Sequence, residues 1–591
     1  MSAIAKPSQA LPRANWKDVL VVVLLALVVR AIYLYETADV VFVRHFVGDA
    51  ASYFSWAQRI AGGDWIGSKP FYQAPAYPYF LGLLFKLFGA GTLCVRAAQC
   101  FSTAIAAGLL TILGSWIFDR RVGFVAGVML ALYAPSLFFD GIVQKASLGC
   151  ALTCAVMWLV ARVSRKAGAW WLVLLGVVSA LLCLTRENAF VWLGVIVAWL
   201  LLSRRVGGQI KQPRRGLVVR WMVLAAYAFG VAVVFAPVLW RNAAVCGEWS
   251  TSTFQAGPNF YIGNHAGATG RYVPLVRGHE TPAFERSDAT ELAERAVGEK
   301  LSPRGVSRFW FGRAFADIRA HPWDWVRLLG RKGMMVVNDY EVADAESAIV
   351  YADASFVLRV LQSVFRFGVL CPLAALGIVL TWRRWRELWV FYALTFSMVC
   401  AIALFYVMAR YRYPLVPLLI LFAAAGVVET FRGIGARGWS WRAWPCYGTM
   451  VVVFVAVVCW WPIHDRRRLD AMAWMNAGVA HAQLGELESA TRFFRLAVSR
   501  HPGSAEAQNN LAQALAMRGA FQEAVEHYRA ALSLEPGLIG ANYNLGVALE
   551  QLGRRDEALG QYRKAVEVDP ADVAARAGIE RIQKANRMDE H

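Results

Sequence analysis

The sequence has few charged residues. Asp, Glu, Lys and Arg make up 17% of its 591 residues, whereas 58% are hydrophobic, and the mean hydropathy is +0.42. Soluble domains carry about 25% charged residues. The shortage therefore favours a membrane protein over a soluble globular one before any motif is considered.

Cysteine patterns with a known purpose are also missing. The chain has ten cysteines but no C-x-x-C pair, and none follows Cys459. Most of the others lie inside apolar runs, and Cys246 stands alone in a polar loop, where an idle thiol is expected. A disulfide framework and a cysteine-based zinc site are both excluded as organising principles.

Acidic residues are scarce relative to basic ones, and the imbalance is local. The formal net charge is +20, yet residues 464–591 are almost neutral, so residues 1–463 carry the excess. Positive charge beside apolar spans marks cytoplasmic loops. No soluble segment shows a basic face interleaved with aromatics, so we expect no nucleic-acid partner.

Apolar runs long enough to cross a membrane recur along the chain and predict an all-α, polytopic helical bundle. The first run, Val19 to Val29, is followed by Arg30 and no small-residue cleavage site, so it predicts an uncleaved helix rather than a signal peptide. The eleven predicted spans are 17–35, 95–117, 122–140, 146–162, 169–185, 188–203, 219–240, 363–382, 388–408, 413–430 and 447–462.

Basic residues in the short loops predict the orientation. Those expected in the cytoplasm are Arg120, Arg121, Arg162, Arg165, Lys166, Arg204, Arg205, Lys211, Arg214, Arg215, Arg383, Arg384, Arg386, Arg432 and Arg437. Two long loops, 36–94 and 241–362, and the tail then lie on the opposite side. Arg466 to Arg468 conflict with this placement, and one helix more or fewer would move the tail to the cytoplasm.

The tail repeats every 34 residues, which predicts a tetratricopeptide (TPR) α-solenoid. Pro502, Pro536 and Pro570 keep this step. The same step separates the members of four further sets: Gly485, Gly519 and Gly553; Ala490, Ala524 and Ala558; Phe494, Tyr528 and Tyr562; Ala497, Ala531 and Ala565.

These registers divide the chain into a membrane domain, 1–463, and a repeat domain, 464–591. The repeats are 471–504, 505–538 and 539–572, and residues 571–588 form a capping helix. Such arrays bind proteins or peptides in a concave groove. Candidate groove residues are Asn476, Asn509, Asn510 and Asn544, for each of which a purely structural role is an equal alternative.

Residues 45–53 of the first long loop, His-Phe-Val-Gly-Asp-Ala-Ala-Ser-Tyr, contain a candidate catalytic acid. Asp49, Tyr53 and Ala57 share one helical face, which suits a short helix lying on the membrane surface. The alternative is that Asp49 merely caps that helix. Further along this loop comes Lys69, followed by a Pro- and Tyr-rich stretch to Phe80.

A second segment, 409–417, places Arg410 and Arg412 at the start of an apolar helix. Arginine suits bidentate phosphate binding, although both side chains could instead reach out to water from the membrane boundary. Two outer turns carry further charges. Arg186 and Glu187 form either an ion pair or part of a site, and the same two interpretations hold for Asp140 and Lys145.

These segments resemble the GT-C glycosyltransferases, and more narrowly the bacterial relatives of protein O-mannosyltransferases and aminoarabinose transferases. The resemblance covers roughly residues 17–430. It lies in the acidic first loop with the Tyr-Pro-Tyr-Phe-Leu-Gly run at 77–89, in Phe260 to His265 with Gly270, in Trp325 to Lys332 with Asn338 and Glu341, and in segment 409–417.

The resemblance implies a polyprenyl-phosphate-linked sugar as donor and a site on the periplasmic side of a bacterial inner membrane. Asp49 would be the catalytic base, and the donor phosphate would meet Arg410, Arg412, Lys69, Arg186 and Lys332. Further candidate substrate contacts are His265, Asn264, Tyr53 and Glu341. Many relatives have Asp-Glu where this chain has Asp49-Ala50, so a divalent metal is possible but not indicated, and no cofactor is certain.

Three other functions compete with this one. A non-catalytic membrane scaffold that displays the TPR domain would tolerate loss of Asp49 and the arginines. A transporter would carry ionisable residues near mid-membrane and paired helix breaks, which the sequence does not show. A polysaccharide polymerase or ligase shares lipid-linked donors and large outer loops, and only the motif resemblance separates it from a glycosyltransferase.

Overall fold

The computed structural model describes residues 14–165, 168–203, 213–251, 253–276, 278–279, 282–435 and 444–589. Within these ranges every regular element is a helix, as predicted. The chain divides into two compact units. The first comprises residues 1–38, 48–344 and 354–463, and the second comprises 39–47, 345–353 and 464–591.

Among the described residues, 22 α-helices precede the tail. They are α1 (Trp16–Glu36), α2 (Val41–Arg44), α3 (Gly48–Ala61), α4 (Ala76–Phe88), α5 (Thr92–Ile117), α6 (Arg120–Leu132), α7 (Ala134–Gly141), α8 (Ala146–Arg165), α9 (Ala169–Cys183), α10 (Phe190–Leu202), α11 (Pro213–Cys246), α12 (Ala256–Asn264), α13 (Pro282–Val297), α14 (Pro303–Ala320), α15 (Pro322–Val337), α16 (Ala348–Ala354), α17 (Phe356–Val364), α18 (Phe367–Thr381), α19 (Trp385–Ala403), α20 (Ala409–Arg412), α21 (Val416–Gly435) and α22 (Trp444–Trp460).

In the described part of the chain, six helical stretches are long and apolar enough to cross a membrane, or seven if α6 and α7, bent by 50°, form one span. The six are Trp16–Glu36, Thr92–Ile117, Ala146–Arg165, Val218–Cys246, Phe367–Ala403 and Ala409–Arg432. Shorter apolar helices are Ala76–Phe88, Ala169–Cys183, Glu187–Leu202 and Gly448–Trp460. The protein is thus a multi-pass membrane protein. Each predicted span overlaps a helix, and the count of eleven stays a prediction.

Small residues let the apolar helices approach closely, as is usual where helices pack inside a membrane. A Cβ on Gly127 of α6 would lie 1.9 Å from Oγ1 of Thr111 on α5. A Cβ on Gly377 of α18 would lie 1.7 Å from the carbonyl oxygen of Phe422 on α21. Neither helix pair could keep its separation with any larger residue at these positions.

A buried ion pair joins α1 to α7. Nε of Arg30 donates to Asp140 at 2.7 Å, and both side chains are fully buried. The remaining nitrogens of Arg30 reach Ser136 at 2.8 Å and the carbonyl of Ala131 at 2.9 Å. Thr103 donates to the other carboxylate oxygen of Asp140 at 2.7 Å. Because every charged atom here is hydrogen-bonded, the pair is a structural element of the bundle.

The second unit contains TPR repeats, as predicted, and their number of three stays a prediction. Gly485, Gly519 and Gly553 each turn the chain between the two helices of a repeat with φ of +76°, +82° and +74°, which explains their fixed positions. The helices are α23 (Arg466–Gln483), α24 (Leu487–Arg500), α25 (Ala505–Met517), α26 (Phe521–Leu534), α27 (Ala541–Gln551), α28 (Arg555–Val568) and the capping helix α29 (Val573–Asp589).

The aromatic register of the repeats is explained by close packing. A Cβ on Gly478 of α23 would lie 2.6 Å from the ring of Phe494 on α24, and a Cβ on Gly546 of α27 would lie 2.6 Å from the ring of Tyr562 on α28. The aromatic side chain of each of these repeats therefore fills a space that glycine on the partner helix leaves open.

Two segments from the long loops belong to the second unit and bond to its first repeat. From segment 39–47, Arg44 pairs with Glu486 at 2.8 Å and His45 bonds to Gln483 at 2.7 Å. From segment 345–353, the carbonyl of Ala345 accepts from Asn476 at 3.1 Å and Asp353 pairs with Arg492 at 2.5 Å. Asn476, a predicted groove residue, thus binds backbone of the same chain.

Several of the basic residues that predict the orientation lie outside the described residues. These positions are Lys166, Arg204, Arg205, Lys211 and Arg437, together with the side chains of Arg214 and Arg215. The basic residues expected in the cytoplasmic loops are therefore described only in part.

Candidate active site

Asp49 lies in the first turn of α3, directly after Gly48, whose φ of +55° suits glycine. Its Oδ1 accepts a hydrogen bond from Nε2 of Gln73 at 2.6 Å, and its Oδ2 is paired with Nη1 of Arg410. The carboxylate thus engages side chains far away in sequence rather than capping its own helix. This arrangement favours a role in a site over the alternative of an N-cap.

Arg410 joins two carboxylates of the first unit. Besides Asp49, its Nη1 is paired with Asp344, and its own side chain is only 13% exposed. Asp344 follows α15 and lies 66 residues from Arg410 in sequence, and sequence reasoning did not identify it. No periodicity or motif marks it, so only the folded chain shows the pairing.

Arg186 is a buried cation with unused hydrogen-bonding capacity. It lies between α9 and α10 and is 2% exposed, and none of its three guanidinium nitrogens has a hydrogen-bond partner among the residues that the structure describes. Burial and, after it, the charge of Arg410 lower the pKa of Arg186 to about 10. Arg186 therefore stays charged at neutral pH and lacks a partner for that charge.

Lys145, between α7 and α8, is a second buried cation beside Arg186. Burial lowers the pKa of Lys145 to about 7, and the positive charge of Arg186 is the next cause. Its Nζ lies 5.8 Å from the ring centroid of Tyr53, whose own pKa is raised by burial. Sequence reasoning treated Lys145 only as a candidate ion-pair partner and missed its place in the site.

The two ion pairs considered from the sequence, Arg186 with Glu187 and Asp140 with Lys145, do not form between the described residues. Glu187 accepts hydrogen bonds from Thr253 and from Gln255, the latter at 3.0 Å, whereas Arg186 is unpaired. Asp140 pairs with Arg30 instead of Lys145. The two cations are consequently left available to an anion from outside the chain.

Arg412, two residues after Arg410, has a different environment. Its Nη2 pairs with Glu341 at 2.8 Å and donates to the carbonyl of Tyr340 at 3.1 Å, while Nη1 donates to the carbonyl of Asn338 at 2.5 Å. Burial raises the pKa of Glu341, and the positive charge of Arg412 opposes that effect. This arginine ties the start of the apolar helix to the end of α15.

Lys332 and Asn264, both predicted site residues, form a separate cluster. Nζ of Lys332 donates to Oδ1 of Asn264 at 2.9 Å, and Nε1 of Trp325 donates to the same oxygen at 2.9 Å. The amide of Asn264 in turn donates to the carbonyl of Leu404 at 2.8 Å. Burial lowers the pKa of Lys332 to about 7. The cluster fastens α12 and α15 to the chain just before α20.

Two other predicted site residues are not joined to this arrangement. The imidazole of His265 bonds to the neighbouring carbonyl of Ala266 at 2.6 Å and stacks on Tyr261, with 5.1 Å between ring centroids. Lys69 is exposed, and its backbone carbonyl accepts from Arg241 at 2.7 Å. For the described residues, the structure therefore centres the site on Asp49, Arg410, Arg186, Lys145 and Tyr53.

A further acid, Glu285 in the first turn of α13, was also missed. The hydroxyl of Tyr72 lies 3.5 Å from Oε2 of Glu285, while the next residue, Gln73, binds Asp49. Burial raises the pKa of Glu285, the hydroxyl of Tyr272 acts in the other direction, and the charge of Asp49 also raises it. A single acidic residue near the start of an amphipathic helix carries no distinguishing sequence signal.

The centre of the site can therefore place the carboxylate of Asp49 and three cations, Arg410, Arg186 and Lys145, around a substrate. Among the described residues, no group of three or more His, Cys, Asp and Glu side chains could hold a metal ion. The two carboxylates on Arg410 are already neutralised in part by that arginine. Anionic substrates with a displaceable phosphate match this distribution of charge.

Comparison with protein families supports a membrane glycosyltransferase of the GT-C type that carries a C-terminal TPR array. Residues 69–240 match the family described as dolichyl-phosphate-mannose-protein mannosyltransferase, and residues 464–505, 513–553 and 540–572 match three TPR families. Both predicted resemblances are thereby confirmed. None of the curated protein sequences matches the chain significantly.

Some solved structures are similar to more than three quarters of the chain, and others to the TPR repeats alone. The oligosaccharyltransferase AglB from Archaeoglobus fulgidus, in complex with an inhibitory peptide and dolichol-phosphate, is 14% identical with a TM-score of 0.41, covering 77% of this chain and 57% of that one. An oligosaccharyltransferase from the same organism in the apo form is 13% identical with a TM-score of 0.43, covering 78% of this chain and 57% of that one. The TPR domain of Arabidopsis OM64 is 23% identical with a TM-score of 0.20, covering 20% of this chain and 98% of the domain. The chain spans little more than half the length of AglB.

Proposed function

We propose that this protein transfers a sugar from a polyprenyl-phosphate carrier to an acceptor at the periplasmic face of a bacterial inner membrane, with inversion at the anomeric carbon. A lipid carrier keeps the reacting phosphate at the membrane boundary. The proposal therefore needs an anion site close to the apolar helices, with a carboxylate beside it.

The observation that carries the proposal is the guanidinium of Arg186. It is buried, charged and without a hydrogen-bond partner among the described residues. A buried charge left unpaired is costly unless something else pairs with it. A donor phosphate would satisfy it, since guanidinium donors match phosphate oxygens in geometry. Lys145 and Arg410 add positive charge from two other parts of the chain.

In the proposed reaction, an acceptor oxygen or nitrogen attacks the anomeric carbon. A bond from the acceptor to that carbon forms, and the bond from the carbon to the phosphate oxygen breaks. The carrier phosphate leaves with the electron pair, and the acceptor gives its proton to Asp49, the proposed base. Arg186, Lys145 and Arg410 stabilise the growing phosphate charge, and Asp49 is the catalytic carboxylate that lies against Arg410.

The other predicted site residues receive supporting roles in this proposal. Arg412 with Glu341, and Lys332 with Asn264, hold α12, α15 and the 404–412 segment together, so that Arg410 is presented in one position. Tyr53 forms an aromatic wall next to Lys145. Lys69 and His265 are left as candidate contacts for the parts of a substrate that extend away from the reacting centre.

The partner of the TPR domain is proposed to be a protein, either the acceptor or a recruited component. Arrays of this kind use their inner helices for such contacts. In this chain Asn476 of the first repeat already bonds to Ala345. The second and third repeats, which carry Asn509, Asn510 and Asn544, would therefore provide the groove for a second protein.

The proposed function is tested by a transfer assay. The full-length protein in lipid nanodiscs is given a panel of polyprenyl-phosphate sugars, and the release of polyprenyl phosphate is measured. We expect one donor to be consumed, and we expect Asp49→Asn to lower the rate about 10²- to 10⁴-fold with normal membrane insertion. Near-normal transfer by Asp49→Asn, or no consumption of any donor by the wild type, would contradict the proposal.

A further inference from the structure

The turn between α7 and α8 carries Lys145 on backbone that is irregular and buried. Residues 142–145 connect the two helices, and each of them is at most 8% exposed. The carbonyl groups at the end of a helix have no partner within that helix, and buried ones need a partner elsewhere. The position of Lys145 therefore depends on the groups that bond to this turn.

Gln99 of α5 bonds to this turn. Its Nε2 donates to the carbonyl of Asp140 at 3.0 Å and to the carbonyl of Ile142 at 2.7 Å. Its Oε1 accepts from the hydroxyl of Tyr77 on α4 at 2.6 Å. Because the two carbonyls can accept but not donate, and the hydroxyl can donate, these partners fix the orientation of the amide. Gln99 thus bonds with both ends of its amide group.

Thr103, four residues after Gln99, bonds to the same end of α7. Its hydroxyl donates to Oδ1 of Asp140 at 2.7 Å, while Arg30 binds Oδ2 at 2.7 Å. Residues four apart lie on one face of a helix, so Thr103 and Gln99 approach Asp140 from the same side. Together they fix its carboxylate and its backbone, and Gln99 also reaches past the end of α7 to Ile142.

The bonds of Gln99 lead to the site by a second route. The ring of Tyr77 packs edge-on against the ring of Tyr53, with 5.3 Å between centroids, and Nζ of Lys145 lies 5.8 Å from the centroid of Tyr53. Gln99, Tyr77 and Tyr53 are each at most 1% exposed. Close packing leaves such side chains little room to move. Gln99 is therefore connected to Lys145 through the turn and to Tyr53 through Tyr77.

We propose that Gln99 is a positioning residue of the donor site, which holds Lys145 against the donor phosphate through the turn and fixes the ring of Tyr53 through Tyr77. This inference rests on the proposed function and deepens it, because it explains how a lysine on irregular backbone keeps one place at the site. Gln99 itself takes no part in making or breaking a bond of the substrate.

The first test replaces Gln99 in the full-length protein in nanodiscs, using the donor that the wild type consumes. Gln99→Met keeps the size of the side chain and removes all three hydrogen bonds. We expect kcat/KM for the donor to fall about fivefold to tenfold at about pH 6, because a displaced Lys145 attracts the phosphate less. Tyr77→Phe keeps the ring and removes one bond, and should lower kcat/KM about two- to fivefold.

A double variant separates positioning from a general loss of structure. Lys145→Met alone should lower kcat/KM up to about tenfold, and adding Gln99→Met should lower it little more, because the residue that Gln99 positions is already gone. Two independent losses would instead multiply to about 50- to 100-fold. The control is Thr381→Val on α18, which removes a buried hydroxyl that bonds to Tyr392 at 2.9 Å, and it should keep the kcat/KM of the wild type.

A second measurement needs no donor. An amine-reactive reagent modifies neutral lysine, so the extent of modification of Lys145 against pH, read by peptide mass spectrometry, reports its titration. Burial lowers the pKa of Lys145 to about 7. The midpoint should lie near that pH in the wild type and higher in Gln99→Met, because a released Lys145 moves towards water. The charged groups that act on Lys145 are present in all Gln99 variants: Arg186, Glu187, Asp49 and Arg410.

Lys332 provides an internal reference in the same experiment. Burial also lowers its pKa to about 7, and it bonds to Asn264 rather than to the turn. Its midpoint should be the same in the wild type and in Gln99→Met. A shift of both lysines would indicate a general loosening of the fold and would count against the inference.

Three results would overturn the inference: wild-type kcat/KM in Gln99→Met, losses that multiply with Lys145→Met, or an unchanged midpoint for Lys145. If Gln99→Met does not fold, Tyr77→Phe is compared with Lys145→Met in the same way. A wild type that consumes no polyprenyl-phosphate sugar would contradict the proposed function itself. The modification midpoints would then still decide whether Gln99 holds Lys145.

Discussion

Two groups of buried cations in the first unit can be compared directly. Arg30 and Arg412 each have a carboxylate partner and also donate to backbone carbonyls. Among the described residues, Nε of Arg412 is the one nitrogen of these two guanidinium groups without a hydrogen bond. Arg186 is buried to a similar degree and bonds to nothing among the described residues, and Lys145 lies beside it. The same type of side chain at a similar depth thus has a carboxylate partner in one region and none in the other.

This difference shows that burial alone does not distinguish a structural charge from a functional one. The free-energy cost of burying a cation is offset when the chain itself supplies an opposite charge and hydrogen bonds. Where they are not supplied, the missing partner is expected to come from a ligand, and the site is then a candidate for function. This reasoning assigns Arg412 to the scaffold and Arg186 to the donor, although the sequence motif treats the arginines around the site alike.

The largest effect is expected for Arg412→Met, which breaks the satisfied group. It leaves Glu341 and several carbonyls buried without a partner, and losing one member of a buried pair costs about 3–5 kcal/mol. Thermal unfolding in detergent should show a large drop in the midpoint. Arg384→Ala, which removes an exposed pair with Glu387, is the control and should change stability by less than about 1 kcal/mol. An unfolding midpoint unchanged by Arg412→Met would refute the structural assignment.

Arg186→Met should have the opposite profile. With a charge-assisted contact to the donor lost, kcat/KM for the donor should fall about 10²-fold, since one such contact contributes roughly 1.5–3 kcal/mol. The free energy of unfolding should stay the same or rise, because an unpaired buried charge is removed. Steady-state kinetics and thermal unfolding are measured on one preparation. Arg295→Ala on the surface is the control. A loss of stability like that of Arg412→Met would end the comparison.

A smaller effect is expected from pH. The pKa of Lys145 is lowered to about 7 by burial, so Lys145 is charged below that pH and neutral above it. Its attraction for a phosphate is present at low pH and is lost as pH rises through 7, and kcat/KM for the donor should fall by up to about tenfold. Lys145→Arg should remove this dependence. If the pH dependence of kcat/KM is unchanged in Lys145→Arg, another group titrates, and Lys332 is the first to examine.

The smallest effect concerns the second unit, where charges are exposed. Arg44 and Glu486 form a pair whose side chains are 48% and 34% exposed, and such pairs contribute about 0.2–1 kcal/mol. Arg44→Glu and Glu486→Arg should each weaken the hold on segment 39–47 slightly, and the double exchange should restore it. The rate of cleavage by a protease in that segment is the measurement. Non-additive recovery supports the pair, and full additivity counts against it.

The repeats were the part of the fold most accessible from sequence. The 34-residue period follows from local packing. Gly485 is needed for a positive φ at a turn, and the ring of Phe494 fills the space left by a glycine on the partner helix. The positions of helices in the membrane unit were also predictable, because a long apolar run allows few other structures. Their number as membrane spans was less so, since α9, α10 and α22 are short and α6 bends into α7.

Only about half of the candidate site could be predicted from the sequence. Asp49 and Arg410 were found because their motifs resemble those of a known family, and the structure pairs them. Asp344 and Glu285 were not found, because contacts between distant loops leave no trace in periodicity. Lys145 was considered only with Asp140, its neighbour in sequence, but Asp140 turns to Arg30 on another helix. Sequence proximity is a poor guide to partners when helices offer side chains on every face.

The two loop segments that bond to the first repeat set a parity rule for the membrane topology. Segments 39–47 and 345–353 and the tail share one unit, so all three must lie in the same aqueous compartment. The chain must then cross the bilayer an even number of times between residues 47 and 345, and again between 353 and 464. In the second interval, α21 and α22 can both cross only if α18 and α19 make two separate crossings rather than one continuous passage. Counting helices by hydropathy leaves that choice open, whereas the hydrogen bond from Asn476 to Ala345 restricts it to an even total.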